Sequence, residues 1–443
     1  MPENISTSRR VWELAWPTII SNLIFTTVGF LHIKIASPMG TSAVAAVTTG
    51  HRVFFLIQAV LMGLSVATTA AVARSWGAQD ARKAEMVTWT SLAMAVLVGG
   101  LLGLPPMLVP EWIVGAFGLD AATTEMAVRF IFWLGVFNIF SALNMMLSTA
   151  LRATGDVITP LWFLSFSSLF NVICGYLLAN GLGILPKLGV EAISLGGGSA
   201  AALVTVAFLA VWWRGHFNLK PVRQLKVSLP VARQLVNIGL PSVIEQGFVQ
   251  LAFLAFFAIV ARYGTTAYAA YGIGISLVSF SIVVGFGFGI AAATLVGQQL
   301  GAGNAELAMR AGWRGLRMAM AAMLLFSMLM VAFATELATF MIDDEETIRL
   351  TAIFIYIIAL CQPLMAVDFA LAGALRGAGD TRFPLIATIC GILLGRLIPA
   401  LIFLALDLSI YWIFMVMVLD YGIKAVLVLH RYRSRKWMQL KVV

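Results

Sequence analysis

The residue of this chain best suited to chemistry inside a membrane is Glu245, in the stretch GLPSVIEQGFVQ at 239–250. It follows Pro241 by one helical turn, and a proline inside a helix frees a backbone carbonyl and bends the axis. Gln246 and, one turn further on, Gln250 add neutral polar groups. Apolar surroundings penalise a charged carboxylate, so Glu245 could bind a proton from one side and release it to the other, whereas a bound organic cation would favour the ionised form. The alternative is a hydrogen-bonded carboxylate that steadies the kink.

Three further groups share that dual reading. Asp368, in PLMAVDFALAGAL, precedes Arg376 by two turns on a similar helix face, and could serve coupling or packing. His32 closes an apolar run in FLHIKIASP; it titrates near neutral pH, while Lys34 two residues on can reach the headgroups. Arg396 is the only charge in GILLGRLIPAL, where pairing with Asp368 or a backbone carbonyl would offset its burial. Asp420 and Lys424 stand four apart, the spacing at which opposite charges on a helix neutralise each other, and they are set outside the site.

The surroundings of these residues are extreme. The 443 residues are 61% hydrophobic and 11% charged, a mix that a water-exposed globular domain does not carry. Apolar runs of about 20 residues, enough to cross a hydrocarbon core of about 30 Å, place spans near 11–33, 46–72, 87–109, 123–149, 157–180, 192–213, 234–261, 268–297, 313–335, 348–374, 383–406 and 409–430. The expected fold is all-α and polytopic. The first run carries Pro17, ends in Lys34 and lacks a small-residue cleavage site, so it reads as a retained helix rather than a cleaved leader. Most of the 29 Lys and Arg fall in the termini and alternate loops, which by the positive-inside rule places both termini in the cytoplasm. The net charge of +9 thus reflects topology and calls for no nucleic-acid partner. Cys174, Cys361 and Cys390 all fall within spans and suggest no disulfide framework.

The polar hexapeptides LRATGD (151–156) and LRGAGD (375–380) stand 224 positions apart. The same offset relates Pro17 to Pro241, Gly40 to Gly264, Gly50 to Gly274, Gly63 to Gly287, Trp89 to Trp313 and Pro160 to Pro384, and it sets Asn144 opposite Asp368. Each half holds an even number of spans, so the repeat is parallel. The expected organisation is an N-lobe at 1–213, a cytoplasmic linker at 214–233 and a C-lobe at 234–443, two pseudo-symmetric six-helix bundles that enclose a cavity and rock to expose it alternately. In the hexapeptides, Gly155 and Gly379 would end one helix, Asp156 and Asp380 would cap the next, and Arg152 and Arg376 would anchor at the cytoplasmic face.

The paired LRxxGD…P turns, the loops WGAQDARKA and LGAGNAELA, and the helix openings LAWPTIISN and IGLPSVIEQ together resemble the multidrug and toxic compound extrusion (MATE) transporters over nearly the whole chain. The resemblance implies a monomer in the bacterial inner membrane that exports amphipathic, often cationic small molecules in exchange for H⁺ or Na⁺, with no cofactor and no resident metal. It also implies an aspartate after VGFL, where this chain has His32, and an acid four residues beyond Asn171, where it has Gly175. The N-lobe carboxylate site of the family is thus missing, and Asn144, Asn171 and Arg396 are expected as supporting polar groups. An imidazole reverses the sign of the ionised form, which opens a second reading, a MATE-like flippase or exporter of anionic or lipid-linked amphiphiles. An enzyme is disfavoured, because the four histidines make no HExxH pair and no phosphate-binding loop appears.

The charge bias makes a topological prediction. A cysteine replacing Asp343 should react with an impermeant maleimide on intact cells, and one replacing His216 only after the membrane is opened; the reverse pattern would invert the assignment.

Overall fold

The computed structural model describes residues 3–181, 186–221, 227–440 and 442; residues 222–226 of the expected linker lie outside the described residues. The first half runs α1 (Glu3–Ala36), α2 (Thr41–Gly77), α3 (Ala81–Leu108), a short α4 (Pro110–Gly115), α5 (Ala121–Thr154), α6 (Ile158–Asn180) and α7 (Glu191–Trp213). The second runs α8 (Leu229–Ala261), α9 (Thr265–Gly301), α10 (Ala305–Ala332), a short α11 (Ala334–Met341), α12 (Glu345–Gly377), α13 (Arg382–Cys390), a π-helical segment Gly391–Leu397, α14 (Ile398–Ala405) and α15 (Ile410–Arg433). Among the described residues there is no strand. Among the described residues twelve helical stretches, Arg382–Ala405 counting as one, are long and apolar enough to cross a bilayer, and they match the twelve expected spans.

The helices overrun the apolar runs because composition marks only the hydrocarbon zone, while the backbone stays helical until a cap or a glycine stops it. The 37 residues of α2, expected at 46–72, start after Gly40, whose φ of +105° suits glycine alone, and continue to Gly77. Asp120 and Asp344, repeat mates, start α5 and α12 in the same way: each accepts a backbone N–H and a hydroxyl from the threonine three residues on, Thr123 and Thr347. Those bonds, the hydroxyl's first, hold both carboxyls below the usual aspartate range.

The chain forms two compact units, one of residues 1–19 and 240–442, the other of residues 20–239. Their boundaries fall inside α1 and α8, beside Pro17 and Pro241, rather than in the connection at 214–233. The described part of that connection belongs to the second unit: Trp212 donates its indole N–H to the Leu219 carbonyl at 2.9 Å, and the Lys220 N–H reaches Glu85 at 3.1 Å.

The repeat extends to packing. In one unit α2 packs on α5, and a Cβ added to Gly50 would strike the Phe130 ring; in the other α9 packs on α12, and one on Gly274 would strike Phe354. Gly239 lies against the Gly63 carbonyl, where its Cβ would come within 2.9 Å, and Gly287 in the same way meets Ala15 and Ile19. Glycines recur because these helices touch backbone to backbone, the usual route to tight association in lipid. The hexapeptides behave as expected at Gly155 (φ +102°) and Gly379 (φ +88°), and Asp156 caps α6 through the Thr159 N–H at 3.0 Å. Asp380 departs from its mate: it accepts instead from Arg431 Nε at 2.7 Å.

These close approaches set a stability prediction. A Cβ on Gly373 would lie 2.7 Å from the Gly289 Cα, so Gly373→Ala should destabilise the detergent-solubilised protein by about 1–3 kcal/mol through overpacking. Gly247→Ala, with nothing within 4 Å of the new methyl, should leave the thermal midpoint level or raised.

Candidate functional site

Glu245, Asp368 and Asp420 lie within helices of the unit 1–19 and 240–442, and the sequence places Arg376, Arg396 and Lys424 among them; Asp380, also buried, sits in the turn after α12. Glu245 is buried, as its place one turn after Pro241 in α8 suggests, but its surroundings are not the expected apolar pocket. Its Oε1 accepts from Arg376 Nη2 at 2.6 Å and from the Thr388 hydroxyl at 2.9 Å. Its Oε2 is buried without a hydrogen-bond partner. Arg376 is therefore not the surface anchor expected of the hexapeptide; its side chain is 20% exposed and turned to Glu245.

Asp368, half-buried on α12, lies within electrostatic reach of Lys424, Arg376, Glu245 and Asp420. Arg396 does not pair with it. The Arg396 guanidinium stands 2.5 Å from Asp420 Oδ2, and Lys424 Nζ is 3.0 Å from Oδ1, so the expected pair within α15 is a three-charge cluster in which one carboxylate serves two cations. Arg396 also lies over the rings of Phe256 and Tyr421, at 5.6 and 5.8 Å. The helix around Arg396 explains its reach. Pro399 has no N–H for the Gly395 carbonyl and its ring crowds that position, a standard cause of local rewinding, and the turns before it are π-helical. Gly391 and Gly395 leave α15 flush against this segment: their added Cβ atoms would come within 2.7 Å of Asp420 Oδ1 and 2.6 Å of its Cα.

Gln246 is half-buried and Gln250 exposed, and neither side chain bonds the Glu245 carboxylate. Gln362, unremarked in the sequence, accepts from Ser281 at 2.5 Å between α12 and α9.

In the other unit, residues 20–239, the polar centre is His32. Its Nε2 lies 3.0 Å from Asn171 Oδ1 and its Nδ1 3.2 Å from His51 Nε2. His32 is buried and His51 half-buried, with the edge of Phe130 against the His51 ring at 6.1 Å between centroids. Glycine again shapes the site: a Cβ on Gly197 would come within 3.1 Å of the Asn171 amide, and Gly196 packs so tightly on α6 that its Cβ would lie 2.6 Å from the Gly175 nitrogen. The position where an acid was expected is thus a helix contact. Asn144, the mate of Asp368, accepts from Ser148 on its own helix at 3.2 Å. His51 was not singled out from the sequence; a second imidazole nineteen residues from His32, across a turn at Gly40, was the available signal. No group of three or more His, Cys, Asp or Glu suited to a metal occurs among the described residues.

The chain matches the MatE family model over residues 17–177 and 241–402, one match in each half. It is 24% identical over 441 residues to a probable multidrug resistance protein NorM of Thermotoga maritima, covering 97% of this chain and 93% of the relative. A probable NorM of Bradyrhizobium diazoefficiens is 28% identical over 392 residues, 84% of this chain and 81% of the relative. Among solved structures, a MOP superfamily transporter from Pyrococcus furiosus with a binding pocket of reversed polarity superposes with a TM-score of 0.90 at 19% identity, covering 97% and 96% of the two chains. The Vibrio cholerae MATE transporter VcmN in its bent form gives 0.90 at 16% identity over 98% of each. At these identities the structural likeness speaks for the fold.

The Asp420 cluster yields a prediction. Asp420→Asn strands two buried cations and should cost about 3–5 kcal/mol. Adding Arg396→Met should recover part of the loss in a thermal unfolding series; no recovery would mean that the pair does not hold α15 to the π-helical segment.

Proposed function

The chain belongs to the MatE family, whose members are transporters and not enzymes, and on that premise we propose that it exports small amphipathic molecules by alternating access, exchanging them for H⁺ or Na⁺. It is a multi-pass membrane protein. The proposal places it in a bacterial inner membrane with cytoplasmic termini, as a monomer. The multidrug-resistance names of its NorM relatives support the cargo class.

The observation that carries the coupling is Glu245, with one oxygen engaged by Arg376 and Thr388 and the other buried and bare. Three carboxylates and three cations make the surrounding network neutral when all are ionised. A proton on Glu245 leaves that network one positive charge in excess, and Asp368 is near enough to take over part of the compensation of Arg376. An organic cation favours the deprotonated state and a bound proton disfavours the organic cation. That mutual exclusion is what antiport requires. Gln246, Gln250 and Arg396 are proposed as polar supports within the unit that holds Glu245, and His32, Asn144 and Asn171 as polar groups of the other unit.

Reconstituted in proteoliposomes, the protein should show ethidium flux that responds to an imposed pH or Na⁺ gradient, and Glu245→Gln should lower the gradient-driven rate to less than about a tenth while leaving membrane insertion intact. Flux indifferent to both gradients, or unchanged in Glu245→Gln, would remove Glu245 from coupling.

A further inference from the structure

The pair His32 and His51 is a second centre that coupling at Glu245 does not use. The amide oxygen of Asn171 only accepts, so the His32 Nε2 facing it carries a hydrogen. In the neutral ring Nδ1 is then a lone pair, and the His51 Nε2 lying 3.2 Å away must donate to it. That chain leaves His51 Nδ1 as the open basic atom. One proton there charges the pair; a second would have to break the bond between the rings and set two cations side by side.

Among the described residues no acid forms an ion pair with either histidine. The helices α2 and α6 contain no Asp or Glu, and the acids of α5 and α7, Glu125 and Glu191, both face Arg129, at 2.9 and 3.9 Å. The other charged neighbours in sequence are themselves basic: Lys34 on α1 and Arg52 on α2, both exposed. On α6, Cys174 lies one turn beyond Asn171 and bears no charge as a thiol. Apolar surface adjoins the pair. Phe25 lies two turns before His32 on the same face of α1, Phe55 one turn after His51 on α2, and the two rings meet edge to face at 6.3 Å; they are 42% and 49% exposed.

We propose that His32 and His51 together take up a single proton and, so charged, bind the acid group of an amphipathic organic anion whose apolar body lies along Phe25 and Phe55. The proton adds at His51 Nδ1 and the anion supplies the missing negative charge, so proton and anion bind and leave together. This extends the cargo class of the transporter reading to carboxylates. It is tested by binding alone, so loss of gradient-driven flux in Glu245→Gln leaves it standing.

The probe is 2-naphthoate, titrated calorimetrically into the full chain in phosphatidylcholine nanodiscs. Binding should be about tenfold or more tighter near pH 5.5 than near pH 8, and buffers of different ionisation enthalpy should report uptake of about one proton per anion. His32→Gln and His51→Gln should lose the pH dependence, and His51→Lys, which fixes the charge, should bind at both pH values with no proton uptake. Equal binding at both pH values in the parent protein, retention of proton uptake in His51→Gln, or preference for 2-naphthylmethylamine would overturn the proposal. So would loss of naphthoate binding in phosphatidylglycerol nanodiscs alone, which would assign the anion to a lipid headgroup.

Discussion

A charge inside an apolar helix bundle must either meet an opposite charge or give up its own, because hydrocarbon offers no water to solvate it. Each compact unit of this chain meets that requirement differently. In residues 1–19 and 240–442, Asp420 is shared by Arg396 and Lys424, Glu245 is held by Arg376, and Asp368 stands in the field of both groups. In residues 20–239, the buried centre has no acid. It is built from imidazoles, which can be neutral, and an amide.

The repeat makes the contrast informative. The mates of His32 and Asn171 are Phe256 and Gly395, and these flank Arg396 in its own unit, Phe256 beneath the guanidinium and Gly395 next to it in sequence. The same corner of each bundle is therefore polar, once as a permanent ion cluster and once as a titratable pair. Duplication preserved the backbone contacts, as the equivalent Gly50–Phe130 and Gly274–Phe354 approaches demonstrate, while the side chains at that corner diverged.

The parts of the fold legible in the sequence were those governed by period and composition. Apolar length marked all twelve spans, and the 224-residue offset marked which glycines would be equivalent, though not that Asp380 would meet Arg431 where Asp156 caps a helix. Partnerships across helices were not legible. Nothing within α8 announces that Glu245 meets Arg376 from α12, because 131 residues separate them and the repeat offers no precedent: Ser21 occupies the matching position in the other half. Arg396, for which the sequence offered Asp368 or a backbone carbonyl, meets Asp420 instead. It sits in the π-helical segment before Pro399, whose turns do not follow regular α-helical spacing. His32 was recognised by type, and its companion His51 became visible only once α1 and α2 lay side by side.

That rewound segment has a geometric meaning of its own. Each extra residue accommodated in a turn advances everything downstream by about 100° of azimuth relative to an ordinary helix. The seven residues Gly391–Leu397 thus act as a phase shifter within a single span. Were the turns to relax to α-helical pitch, Arg396 would swing off Asp420 without any change in the tilt of the rod that carries it.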